Sequence, residues 1–150
     1  MLMKTMKTLD EVSKELPVIF PVHPRTRQRI QASRFAMSNP EFHLIDPVGS
    51  IEFLALQKNA KVVITDSGGI QEETTFLGIP CLTLRDNTER PITVWEGTNK
   101  LIGVDEIEYE VAQIQQGKDK KGKIPYLWDG NAAERITEVL EGLFRFTPEE

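Results

Sequence analysis

Five short apolar runs punctuate this chain, at residues 18–22 (VIFPV), 42–45 (FHLI), 61–66 (KVVITD), 81–84 (CLTL) and 100–103 (KLIG). Each ends in a polar, Pro or Gly turn signal, and helical patterns alternate with them. Consecutive parallel strands need long connections, so this alternation has one economical arrangement, a parallel sheet with crossover helices on both faces. The expected fold class is α/β, a Rossmann-like doubly wound sheet.

Leu9, Val12 and Leu16 share one face of an N-terminal helix that stops at Pro17, and the Arg-rich stretch 25–34 continues as a second helix. Ser50 is placed to N-cap a third, which runs through Phe53, Leu54 and Leu56 to residue 59. A fourth covers 70–77 and is closed by Gly78, with Pro80 just beyond. A short helix is expected around 94–96, and longer ones over 105–116 and 132–144. The last carries an apolar stripe of Ile136, Val139, Leu140 and Leu143. Between these two, residues 117–123 form a charged Gly/Lys loop expected to be solvated.

Composition narrows the function classes. With 150 residues, 39% of them hydrophobic, the chain suits one domain over 1–150 with a single core. A formal charge of −5 argues against nucleic-acid or acidic-membrane partners, which select a positive field. The lone Cys81 excludes an internal disulfide and a multi-thiolate metal site. No ligand cluster or cofactor is called for. No apolar run approaches the roughly 20 residues that span a bilayer, and Met1-Leu2-Met3-Lys4 does not open a secretory signal. The expectation is a cytoplasmic protein.

In doubly wound sheets, ligands bind beyond the carboxyl ends of the strands. The sharpest candidate there is Ser67-Gly68-Gly69, where a strand runs through Asp66 into a helix. Glycines let an anion approach the free N–H groups of the helix N-terminus, and the helix dipole favours it. Glu73, a turn further in, suits the paired hydroxyls of a ribose or sugar. The plainer readings are a tight turn and a solvent-facing carboxylate. The loop 85–90, with Arg85 and Arg90 around Thr88 and Glu89, can supply cationic hydrogen bonds to a diphosphate or can close on itself in an Arg–Glu pair. His23 follows the first strand and can contact a ligand or simply be packed or solvated. Phe53 can be core or can stack on a base. Cys81, within an apolar strand, is expected to be buried and inert.

The segments VIFPVHPRTRQRI (18–30), VVITDSGGIQEETTFLGIPCLTLRDNTERPITVWEGTNKLIG (62–103) and LWDGNAAERI (127–136) resemble the C-terminal half of the non-hydrolysing UDP-N-acetylglucosamine 2-epimerases. The resemblance covers nearly the whole chain. It implies the C-terminal domain of a GT-B architecture, and an isomerase that interconverts UDP-GlcNAc and UDP-ManNAc for cell-envelope polysaccharide. The implied route is anti elimination of UDP to a 2-acetamidoglucal, then re-addition with the opposite configuration at C2. On that resemblance Ser67, Gly68 and Gly69 would hold the diphosphate, Glu73 the ribose and Arg90 the phosphate end of the nucleotide. Phe53 would lie at the uracil, and His23 matches a position that contributes to a second, allosteric UDP-GlcNAc in some bacterial members. No metal is implied.

Where the sequence departs from the family pattern, the expectations change. The family's acidic catalytic residues belong to an N-terminal domain, so no catalytic residue is assigned here. The family's first C-terminal-domain strand, with its His-Arg motif, is also unmatched. That strand is central in a 3-2-1-4-5-6 order. The expected consequence is a sheet that is gapped, re-paired or completed by another chain, with a complementary N-terminal-domain polypeptide as partner. The alternatives are a nucleotide-sugar-binding module or partner subunit without catalysis and, less favoured by DSGGIQEE and TERP, half of a glycosyltransferase.

Overall fold

The computed structural model describes residues 1–33 and 35–144. All five expected strands form, each followed by a helix: β1 (Val18–Pro21), β2 (Phe42–Ile45), β3 (Val63–Thr65), β4 (Cys81–Thr83) and β5 (Asn99–Leu101). The helices are α1 (Leu2–Val12), α2 (Pro24–Ala32), α3 (Ser50–Asn59), α4 (Gly68–Leu77), α5 (Pro91–Trp95), α6 (Ile107–Gln115) and α7 (Ala132–Phe144). A single 3-10 turn, Val104–Glu106, leads into α6.

All pairing is parallel, and the sheet is in two pieces. β1 pairs with β2, and separately β3, β4 and β5 pair in that order. Of the three expected outcomes for the sheet, the gapped one is present, with the break between β1 and β3. Val18 and Val22 donate their N–H groups to Glu41 and Ile45 in the β2 segment. By the alternation of the ladder, the backbone groups of Ile19 and Pro21 face the free edge of β1. Pro21, which has no N–H to offer, is tolerated in such an edge strand. On β3, Val63 donates to Pro80 and Thr65 accepts from Leu84, so Ile64 turns its backbone to the other free edge.

One hydrophobic cluster serves both half-sheets. Val22 and Phe42 join Leu82, Ile102, Ile107 and Val111, with Met6, Leu9 and Val12 of α1 completing it. Helix α1 packs on α6. It is also tied to the segment before β2, because the Asp10 carboxylate accepts from the N–H and hydroxyl of Ser38 and from the Asn39 N–H.

Several boundaries differ from the pattern-based expectation. Helix α1 ends at Val12 and leaves Leu16 in the connection to β1. Gly49, not Ser50, is the N-cap of α3, with Ser50 its first helical residue. Helix α4 begins two residues earlier than apolar periodicity suggests, because periodicity is blind to glycine. It ends as expected at Gly78, whose φ of 71° only glycine adopts freely. Arg34, the end of the expected second helix, lies outside the described residues.

The 117–123 segment is exposed over most of its length, as expected, but it is also anchored to the body of the protein. The Lys123 N–H donates to the Glu96 carbonyl. The Lys120 ammonium reaches the carbonyls of Val94 and Asn99, and burial pushes its pKa down. Gly122 lies against the Gly97 backbone with no room for a Cβ. The stripe on α7 has the opposite fate. Ile136, Val139, Leu140 and Leu143 are 47–65% exposed, and no residue of α7 is buried. Among the described residues no helix is long and apolar enough to cross a membrane.

Candidate functional site

The site is built at the junction of β3 and α4. Thr65 ends the strand and accepts the Ser67 N–H on its hydroxyl at 3.1 Å, which turns the chain into the helix. Ser67 is the N-cap, yet its side chain makes no capping bond, so its hydroxyl stays available beside the helix start. The first helical bond runs from the Gln71 N–H to the Ser67 carbonyl. The N–H groups of Gly68, Gly69 and Ile70 are thus left without an acceptor among the described residues, as helix geometry requires. Among the described residues, no atom outside its own helical turn lies within 4 Å of where a Cβ on Gly69 would be.

Arg90 stands over this helix start. A Cβ on Gly68 would lie 3.8 Å from Arg90 Cγ and 4.0 Å from Glu89 Oε2. The Arg90 Nε is 3.0 Å from Glu72 Oε1. Arg85 donates twice to Glu89, at 2.9 and 2.7 Å, and this pair holds the Arg85 pKa up and the Glu89 pKa down. The self-closing alternative for the 85–90 loop is therefore realised for Arg85, whereas Arg90 is borrowed by a carboxylate of α4. Exposed ion pairs of this kind contribute about 0–1 kcal/mol, so an arriving anion can displace Glu72 at little cost.

Glu73 is exposed, but it is not free: the Gln57 Nε2 donates to its Oε2 at 2.5 Å. Gln57 is 2% exposed, and its own Oε1 lacks a partner among the described residues. A buried amide that spends one bond on a surface carboxylate fixes where that carboxylate points. Phe53 lies four residues before Gln57, on the same face of α3, and is half-buried.

The structure thus gathers Ser67, Gly68, Gly69 and Arg90, with Glu73 one turn along α4. His23 is elsewhere. It caps α2, its Nδ1 accepting the Arg25 N–H at 3.3 Å, and no bond among the described residues links it to the α4 group. Cys81 is 1% exposed and burial raises its pKa, as expected of an inert thiol. Concavities of about 240 and 310 Å³ flank α1 and α6, and neither is lined by a residue of the α4 group. Among the described residues no three His, Cys, Asp or Glu side chains cluster as metal ligands. Pattern reasoning missed Gln57 and Glu72, since a polar residue in a helix carries no sign of the partner it will meet.

A family model described as UDP-N-acetylglucosamine 2-epimerase matches residues 1–141. The chain belongs to that family. A UDP-N-acetylglucosamine 2-epimerase of Methanocaldococcus jannaschii is 43% identical over 127 residues, 82% of this chain and 34% of the relative. A UDP-2,3-diacetamido-2,3-dideoxy-D-glucuronate 2-epimerase of Pseudomonas aeruginosa is 37% identical over 140 residues, 92% of this chain and 39% of the relative. The crystal structure of the M. jannaschii UDP-GlcNAc 2-epimerase in complex with UDP-GlcNAc and UDP superposes with a TM-score of 0.73 and 39% identity. The match covers 93% of this chain and 41% of that one. The chain therefore spans well under half the length of these epimerases. Its α/β fold is the Rossmann-like C-terminal domain of their GT-B architecture.

Proposed function

We propose that this chain is the UDP-holding half of a UDP-N-acetylglucosamine 2-epimerase. It would interconvert UDP-GlcNAc and UDP-ManNAc in the cytoplasm with a complementary polypeptide that carries the other wall of the cleft. The observation that carries the reading is the α4 start, where three unpaired N–H groups and a Cβ-free approach lie beneath the Arg90 guanidinium. Those groups suit a diphosphate: the amides and the helix dipole take one phosphate, and Arg90 exchanges Glu72 for the other. Glu73, aimed by Gln57, accepts from the ribose hydroxyls. Phe53, on the neighbouring face of α3, meets the uracil. His23 would serve a second nucleotide sugar, with its exposed Nε2–H as donor while Nδ1 stays on the α2 cap.

In the elimination, a base on the other wall of the cleft removes the C2 proton, and the C2–H electron pair becomes the C1=C2 bond. The C1–O bond breaks with its electrons, leaving them on the β-phosphate of UDP. The contribution of this chain is to stabilise that growing charge with fixed amides and Arg90, which cost no reorganisation at the moment of bond cleavage. Re-addition runs the same steps in reverse, with the proton delivered to the other face of C2. The free edges of β1 and β3 and the bare stripe of α7 are the surfaces the complementary polypeptide would cover.

Calorimetric titration of UDP into the wild-type chain and Glu73→Ala tests the binding half. Binding is expected, weakened about tenfold by loss of the charge-assisted ribose bonds. NMR of UDP-GlcNAc incubated with the chain alone is expected to show no UDP-ManNAc. Turnover by the isolated chain would refute the half-site assignment, and failure to bind UDP would refute the site. Binding that stays without turnover when the other half is supplied would favour a nucleotide-sugar-binding module.

A further inference from the structure

Arg90 is the N-cap of α5, with φ −122° and ψ 56°, and its side chain is half exposed. What holds it is a closed ring of hydrogen bonds that begins and ends on its own backbone. The Arg90 N–H donates to the Thr88 hydroxyl at 3.0 Å, and that hydroxyl donates to Gln71 Oε1 at 2.6 Å. Asn99 Nδ2 donates to the same Gln71 oxygen at 3.1 Å and also to the Thr93 hydroxyl at 3.1 Å. Thr93 Oγ1 closes the ring by donating to the Arg90 carbonyl at 2.7 Å.

The polarity of the ring is forced. A carbonyl only accepts, so Thr93 must donate to Arg90 and accept from Asn99. The Asn99 atom there is therefore its NH₂, the facing Gln71 atom must be its oxygen, and Thr88 must donate to that oxygen. This leaves the Thr88 lone pair for the Arg90 N–H. Asn99 is anchored from below by the Thr83 hydroxyl of β4, at 2.7 Å. Gln71 and Asn99 are fully buried. Gln71 turns its oxygen into the ring even though its Nε2 is then left without a partner among the described residues.

We infer that Thr88, Gln71 and Asn99 are positioning residues for Arg90, transmitting the rigidity of β4 and β5 to the guanidinium over the α4 start. The consequence for nucleotide binding rests on the reading proposed above; the ring itself does not.

Two readouts separate the levels. In Thr88→Val the side-chain shape is kept while the acceptor for the Arg90 N–H is lost. Amide hydrogen exchange at Arg90, followed by NMR without ligand, is expected to accelerate about tenfold, and UDP affinity to fall about three- to tenfold. Thr88→Ser restores both, and adding Thr88→Val to Arg90→Met weakens UDP binding no further than Arg90→Met alone. Unchanged Arg90 protection in Thr88→Val would overturn the ring. Additive losses in the double variant would show that Thr88 acts independently of Arg90 and would overturn the positioning role. Arg90→Met binding UDP as tightly as wild type would instead overturn the nucleotide role of Arg90, and with it the purpose assigned to the ring.

Discussion

Replacing Gly69 by alanine should move stability and affinity in opposite directions. Gly69 is the second residue of α4 in ordinary helical conformation, since the positive-φ glycines are Gly78, Gly117 and Gly130. Among the described residues, the added methyl meets nothing within 4 Å outside its own helical turn. Alanine therefore brings no clash and restricts the unfolded chain, a gain of about 0.4–1 kcal/mol. For a chain of this size that corresponds to a rise of roughly 1–4 °C in Tm. With nucleotide present, the methyl stands in front of the unpaired amides of Gly68, Gly69 and Ile70. Holding an anion away from one charge-assisted bond costs about 1.5–3 kcal/mol, or roughly 10- to 100-fold in Kd. Differential scanning calorimetry and UDP titration on the same sample measure both. A higher Tm with an unchanged Kd would refute the approach of phosphate over Gly69. A lower Tm would refute the argument that the backbone there is unstrained helix.

Cys81 should resist an aromatic disulfide reagent in the native state at mildly alkaline pH and react at once in denaturant, because burial disfavours its thiolate. Rapid native labelling would mean that the β4 layer opens readily. Asp129 accepts from both terminal guanidinium nitrogens of Arg135 and from the Asn131 N–H, which hold its pKa at about 2. The pKa is depressed on folding, so this pairing supports the 127–135 turn fully above the ordinary carboxylate range and is lost as pH falls from about 4 towards 2. Carboxyl NMR titration should find the low midpoint, and Arg135→Met should raise it most of the way towards the ordinary carboxylate range, the Asn131 N–H bond remaining. An unchanged midpoint in that variant would assign the shift to the backbone bond instead.

Much of this architecture could be read locally. The β-branched and apolar runs formed strands where expected, and Gly78 closed α4 because its left-handed conformation is a property of one residue. Helix α7 formed over the expected span because its apolar stripe repeats at helical spacing. Helix starts were less legible: Gly49 and Gly68-Gly69 carry no side chain, so neither periodicity nor capping chemistry marks them. The 117–123 segment is largely solvated, as its composition suggests, but its anchors were not legible: Lys120 reaches carbonyls of α5 and β5 and Gly122 lies on the 97–98 connection between them, and backbone carbonyls and a glycine contact leave no imprint on local sequence.

By itself, the sequence determined the parallel α/β class, the strand that runs into Ser67-Gly68-Gly69, and a family motif long enough to locate the break in the sheet. These depend on residues close together in the chain. Only the tertiary structure decided which side chains serve them. Gln57 meets Glu73 across two helices, and Gln71 and Asn99, 28 residues apart, meet around the backbone of Arg90. Amides pair with whatever the fold brings within about 3 Å, so their roles exist only once strands β4 and β5 and helices α3 and α4 are in place.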